Sequence, residues 1–307
     1  MTSKSRPLSI YQLSDGRYLS YAQYGNPTGQ PVFFFHGFPG SRLEGALWES
    51  TAIQLNARLI VPDRPGFGYS SLHRGRAILN WPADVLQLAE HLGIKQFHIL
   101  ATSGGSPYLL ACLREIDTSR IRGACIVSGM YPLNVGGVED MLFMSRVGLF
   151  LAVWCTPILA FLLDLILGRA ARAADRTRFE TIFMKDVEQR PEVDQRCMQD
   201  ENYKERFLAC VRESLKNCYA FVWEARLLGS DWGFALDEIS VPAPAIGGAG
   251  RLQLWQGGMD VNCPVSMAER AAAKIKAAEL NVLKEEGHLS LPANHMLRIL
   301  HQLLENP

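Results

Sequence analysis

The sequence predicts an α/β fold: a doubly wound, mostly parallel eight-stranded sheet with a helical cap inserted between strands six and seven. Three observations carry this reading. Over the first 130 or so positions, short β-branched or aromatic runs alternate with amphipathic stretches, the rhythm of right-handed strand–helix–strand units. Val32-Phe33-Phe34-Phe35 is apolar at every position, as a strand covered on both faces of a parallel sheet must be. From 134 to 242 strand signals vanish and the pattern turns helical, after which strands resume. The core is thus expected over 1–133 and 243–307, and the cap over 134–242.

Each element has a local reason. Runs at 8–13 and 18–24 flank Asp15-Gly16, a hairpin signal. The strand at 32–35 ends in His36-Gly37-Phe38-Pro39-Gly40, and a helix-like stretch follows at 43–55. A strand at 58–61 runs into the turn Pro62-Asp63-Arg64-Pro65-Gly66-Phe67-Gly68. An amphipathic helix over 82–92 stops at Gly93, where a left-handed residue ends helices cheaply. Strands at 97–101 and 124–128 bracket a helix over 105–116. Beyond the cap come a strand at 252–255, a helix over 265–277, a strand at 280–283 and a last helix over 292–304.

Composition narrows the function classes. The 307 residues carry 31 Lys+Arg against 31 Asp+Glu, and 48% are hydrophobic against 20% charged. Such a chain builds a core, which excludes intrinsic disorder. Zero net charge offers no broad field for phosphates, so no nucleic-acid partner is expected. Seven scattered cysteines form no C-x-x-C pair, which argues against zinc or redox motifs and for a reducing compartment. The first dozen residues hold no apolar signal core. A cytoplasmic location is expected.

The strongest chemical signal is Leu100-Ala101-Thr102-Ser103-Gly104-Gly105, where a predicted strand turns sharply into a helix. This is a G-x-S-x-G elbow with alanine in first place. The residues two before and two after the serine must be small, so that strand and helix backbones approach; Ala101 and Gly105 meet that need. The turn sets the Ser103 hydroxyl at a helix N-terminus, which favours a developing anion. Alone, the pattern also fits an ordinary Gly-rich strand-to-helix turn. A serine needs a base. His288, in Glu286-Gly287-His288-Leu289 after the last strand, is the candidate; His295 and His301 fall within the final helix. Asp260 follows the strand before it, in Gly257-Gly258-Met259-Asp260, and would orient the imidazole. The order Ser103, Asp260, His288, each at a strand's C-terminal end, makes a catalytic triad. The oxyanion donors are expected to be the backbone N–H groups of Gly104 and Phe38, with His36 and Gly37 as structural support. No metal and no organic cofactor is implied.

These pieces, with Asp63–Ser70 and Pro264, resemble the α/β-hydrolase superfamily across essentially the whole chain. The H-G-F-P loop is similar to that of the epoxide-hydrolase-like and small-esterase branches, which carry a cap between strands six and seven. Asp231-Trp232-Gly233-Phe234 resembles a stretch at the cap exit of similar hydrolases. Epoxide hydrolases and haloalkane dehalogenases of this fold use aspartate as nucleophile, so Ser103 disfavours both. The resemblance implies a serine hydrolase acting on a hydrophobic small-molecule ester, thioester or lactone through an acyl-enzyme. Its alternatives are a non-hydrolytic triad enzyme (retro-aldol, elimination or cyclisation) of a biosynthetic pathway, and a ligand receptor on the same fold. Two departures stand out: Ala101 for glycine, and an added loop at 242–250.

Residues 147–163, VGLFLAVWCTPILAFLL, hold no charge. A spanning helix there would separate the two halves of the sheet, and Pro157 would break it. The expected reading is two cap helices, 140–155 and 158–168, that roof the active site. Peripheral membrane contact or dimerisation is the alternative. The rest of the cap, 169–231, balances its charges and reads as solvated helices whose charged residues mark an outer face.

Overall fold

A computed structural model describes residues 6–241 and 252–305, so the 242–250 loop lies outside the described residues. Eight strands form one sheet: β1 (Arg6–Gln12), β2 (Tyr18–Gly25), β3 (Gln30–Phe35), β4 (Ala57–Pro62), β5 (Phe97–Thr102), β6 (Ile121–Val127), β7 (Leu252–Gly257) and β8 (Ala278–Leu283). Their spatial order is β1-β2-β4-β3-β5-β6-β7-β8. β1 pairs antiparallel with β2, and β2 antiparallel with β4; every other pairing is parallel. The β1–β2 turn uses Gly16 at φ +86°, a conformation glycine adopts without strain.

Side-chain alternation in the central strands divides the core in two. Val32, Phe34 and Leu100 face α1 (Gly45–Gln54) and α12 (Ser290–Leu304), where Phe34 meets Trp48 edge-on. Phe33, Phe35 and Ile99 face α2 (Trp81–His91), α3 (Ser106–Glu115) and α11 (Val265–Ala272), where Phe35 meets Trp81. The apolar run Val32–Phe35 is explained: β3 lies between β4 and β5 with helices over both faces. The helix expected to reach 277 ends at Ala272, and Ala277 at φ +64° turns the chain into β8.

Between β6 and β7 the chain is helical: α4 (Leu133–Gly136), α5 (Phe143–Leu163), a π-turn (Asp164–Gly168), α6 (Arg169–Arg172), α7 (Thr177–Val187), α8 (Glu192–Cys197), α9 (Glu201–Ser214) and α10 (Cys218–Gly229). The two helices expected at 140–155 and 158–168 are the two segments of α5, which meet at a kink. The bend is at Cys155 (φ −129°, ψ 33°), just before Pro157. Proline has no N–H to give the carbonyl four residues back, that of Val153. The Arg226 guanidinium donates to that oxygen at 2.6 Å and stacks on Trp223, so α10 completes the broken turn of α5.

The expectation that the 169–231 charges mark an outer face is corrected at three carboxylates. Glu224, fully buried, lies between Arg64 (2.7 Å) and Arg76 and accepts from Tyr108 Oη at 2.8 Å. Glu213 pairs at 3.1 Å with Arg42, which also pairs with Asp63 at 3.0 Å. Asp194, also fully buried, reaches the loop that carries His288. Buried charges persist only when paired or well hydrogen-bonded, so these groups fasten the helices over the sheet. Glu224→Ala leaves two arginines buried without their acceptor; equilibrium urea unfolding is expected to show a loss of about 3–5 kcal/mol.

Candidate active site

Ser103, Asp260 and His288 follow β5, β7 and β8, and the parallel sheet brings all three C-terminal ends to one edge. Ser103 sits at φ +47°, in the left-handed region that non-glycine residues rarely occupy. That conformation projects the hydroxyl out of the strand line. The turn requires close approach: a Cβ on Gly105 would stand 2.3 Å from the Phe35 carbonyl oxygen, and Ala101 is fully buried in β5. Alanine therefore fits at 101, whereas nothing beyond glycine fits at 105.

The Ser103 hydroxyl lies 3.0 Å from His288 Nε2, and His288 Nδ1 lies 2.8 Å from Asp260 Oδ2. A carboxylate only accepts, so Nδ1 carries the proton and Nε2 is left to accept from the serine. Asp260 is itself fully engaged. Its Oδ1 accepts from the Asn262 and Cys263 N–H groups, both at 2.8 Å, and its Oδ2 accepts from Gln256 Nε2 at 2.9 Å. These donors fix the carboxylate's orientation.

On the opposite side stands the loop after β3. A Cβ on Gly104 would lie 2.6 Å from the Phe38 Cβ and 3.3 Å from the Phe38 nitrogen, so the two backbones face each other at close range. Phe38, Ser103 and Gly104 share one wall of a cavity. Arg64 sets the loop's direction: its guanidinium donates to the carbonyls of His36 (2.5 Å) and Gly37 (2.8 Å) while its Nε pairs with Glu224. His36 is fully buried, with Nδ1 3.0 Å from the Gly37 oxygen. Burial and the Arg64 charge hold its imidazole well below the usual histidine range, so it stays neutral. Gly37 has no steric need to be glycine, since no atom approaches its Cβ position closer than 3.5 Å; its N–H donates to Glu44 Oε2 at 2.7 Å.

The cavity encloses about 530 Å³ and is mostly apolar, with Met130, Leu149, Leu159 and Phe221 in its walls. Its charged lining groups, Asp186 and Arg190, pair with each other at 2.9 Å. A second chamber of about 80 Å³ adjoins Ser103 and His288 beside Glu44 and Thr102.

Three supporting residues were not singled out from sequence. Asp194 Oδ1 accepts from the Leu289 and Ser290 N–H groups, both at 2.9 Å, and its Oδ2 accepts from the His288 N–H at 3.0 Å. It supplies from α8 the N-terminal acceptor that α12 lacks locally. The approach is close enough that a Cβ on Gly287 would stand 2.4 Å from Asp194 Oδ1. Gln256 bridges Asp260 to the Cys263 carbonyl (2.6 Å). Glu44 accepts from Gly37 and from Thr102 Oγ1 (2.5 Å). Only Gly287, quoted beside His288, hinted at Asp194; the 94-residue separation hid the rest.

Two measurements check this support. Asp194→Ala frees the backbone under His288, so kcat is expected to fall at least about tenfold with KM changed by less than about threefold; Asp194→Asn, which keeps one acceptor oxygen, is expected to recover part of kcat. For Glu44, burial raises the carboxyl above its ordinary value, although the Thr102 and Gly37 hydrogen bonds oppose that. The folded protein then binds this proton more tightly than the unfolded chain. The charged form weakens the fold above the unfolded pKa, and the penalty vanishes below it. In urea unfolding, Glu44→Gln is therefore expected to gain stability relative to wild type as pH rises above the ordinary glutamate value of 4.5; a gap that does not grow there contradicts this.

A family model of the alpha/beta hydrolase fold matches residues 30–153. Over 127 residues the chain is 29% identical to a non-heme haloperoxidase of Rhodococcus erythropolis, covering 40% of this chain and 44% of that protein. Over 126 residues it is 29% identical to a proline iminopeptidase of Xanthomonas citri, covering 40% and 39%. The matches thus span less than half the length of these curated relatives. Among solved structures, an esterase from Rhodococcus sp. ECU1013 superposes with a TM-score of 0.67 at 18% identity, covering 98% of this chain and all of that one. An alpha/beta hydrolase from a Medee basin deep-sea metagenome gives 0.68 at 15% identity, covering 96% of each. The fold is that of the alpha/beta hydrolases, and the stretch from β3 into α5 matches that family's model.

Proposed function

We propose that the protein is a serine hydrolase that cleaves a hydrophobic small-molecule ester, thioester or lactone through an acyl-enzyme. The observation that carries this reading is the unbroken chain from Ser103 Oγ through His288 (3.0 Å) to Asp260 (2.8 Å), opening on a mostly apolar cavity of about 530 Å³. His288 Nε2 takes the serine proton as Oγ attacks the carbonyl carbon. Asp260 holds the ring in one tautomer and stabilises the imidazolium. The N–H groups of Phe38 and Gly104 receive the oxyanion, and a donor of this kind is worth about 3 kcal/mol of barrier. His288 then gives its proton to the leaving oxygen or sulfur. Water takes its place, His288 acts as base again, and the acyl group leaves as an acid. The small chamber beside Glu44 gives that water room within reach of His288.

Substrate chemistry follows from the cavity. Methionine, leucine and phenylalanine side chains reward apolar acyl or alcohol groups, while Asp186 and Arg190 neutralise each other and leave no net charge to attract an ion. A p-nitrophenyl ester series is expected to show kcat/KM rising from acetate toward medium chains. Ser103→Ala is expected to lower kcat by about 10³-fold or more at every length. A folded Ser103→Ala that still turns over these esters would refute the nucleophile.

A further inference from the structure

The outer face of α5 has no protein over it. Phe150, Trp154 and Phe161 are 63%, 73% and 63% exposed, and Phe143, Ile158 and Ile166 are likewise exposed. Their spacing follows the helical repeat, so they form one stripe. From 143 to 166 it follows α5 through the bend at Cys155 and into the π-turn. Less than a quarter of the helix's most apolar 18-residue stretch is buried. The opposite face behaves differently: Leu149, Leu159 and Leu163 line the cavity at Ser103. An apolar stripe of this size on a monomer marks an interaction surface.

Its charges indicate the partner. Near the N-terminal end Arg146 lies 5.7 Å from the Phe143 ring, and among the described residues it makes no ion pair; beyond the C-terminal end exposed Arg169 makes none either. Of three acids nearby, two are paired with other arginines, while Asp140, which accepts from a neutral hydroxyl, keeps its charge. Asp164 binds Arg172, Glu139 binds Arg270 at 3.5 Å, and Asp140 accepts from Ser266. An otherwise neutral chain thus presents a large apolar stripe with unpaired arginines at both ends and a tryptophan in the middle. That is the composition of a helix lying in a membrane interface, with its apolar face among acyl chains and arginines at anionic headgroups. Threading the bilayer is ruled out by the inner face, which Arg226 fastens to α10 through the Val153 carbonyl.

We propose that the outer face of α5 docks the protein, monotopically, on an anionic lipid bilayer. This does not rest on the chemistry at Ser103. The test is flotation of the full chain with phosphatidylcholine vesicles and with vesicles carrying roughly a third phosphatidylglycerol. Wild type is expected to float with the anionic vesicles and more weakly with the neutral ones. Phe150→Glu/Phe161→Glu is expected to weaken flotation at least about tenfold with an unchanged thermal unfolding midpoint; Trp154→Ser gives a milder loss should the double variant not fold. Arg146→Gln/Arg169→Gln is expected to remove only the preference for anionic lipid. The proposal is overturned if wild type floats with neither vesicle, or if the substitutions leave flotation unchanged. It is equally overturned if light scattering shows a stable dimer that the double substitution splits while no vesicle binds, because a second copy then covers the face.

Discussion

Ser103 can face His288 only because the chain after β5 turns through a left-handed residue pressed against the neighbouring strand. A Cβ at 105 would collide with the Phe35 carbonyl, so Gly105 sets how closely α3 follows β5. The strain at Ser103 is held by its surroundings: β3 and β6 flank β5 in parallel register, and every residue of the strand is buried. Relaxing that turn would swing the hydroxyl away from His288 and the Ser103 side of the cavity together.

The second constraint is electrostatic. Asp194, Glu213 and Glu224 leave water on helices α8, α9 and α10 and are satisfied by groups of the core. Each aligns something the site uses. Asp194 holds the backbone under His288, and Glu224 orients Arg64, which fixes the carbonyls preceding Phe38. Glu213 closes the Arg42–Asp63 pair below. Removing one partner of such a set costs far more than the pair contributes, since the other charge stays buried. The roof of the cavity and the frame of the site are therefore one mechanical unit.

Those ties also explain what could be read from sequence. The strands, their order along the chain and the three residues at strand ends carry local signatures: β-branched runs, glycine turns and a serine between small residues. The elbow and the loop ends follow from the covalent chain. Asp194 and Glu224 carry none, because a carboxylate on an amphipathic helix reads the same whether it faces water or an arginine far away in sequence. Arg64 stood in a quoted stretch without a role for the same reason. The break in α5 is legible in Pro157; the partner of the carbonyl it leaves open, Arg226 on α10, is not, because it lies far away in sequence. The apolar run has one face toward the cavity and another that is exposed.

The proposed chemistry requires Ser103 to be an activated nucleophile. Incubation with a fluorophosphonate, followed by intact mass and peptide mapping, tests this without knowledge of the substrate. A single phosphonyl adduct on the Ser103 peptide is expected, formed orders of magnitude more slowly in His288→Ala. A folded protein that stays unlabelled, or is labelled elsewhere at the same rate in Ser103→Ala, would contradict it.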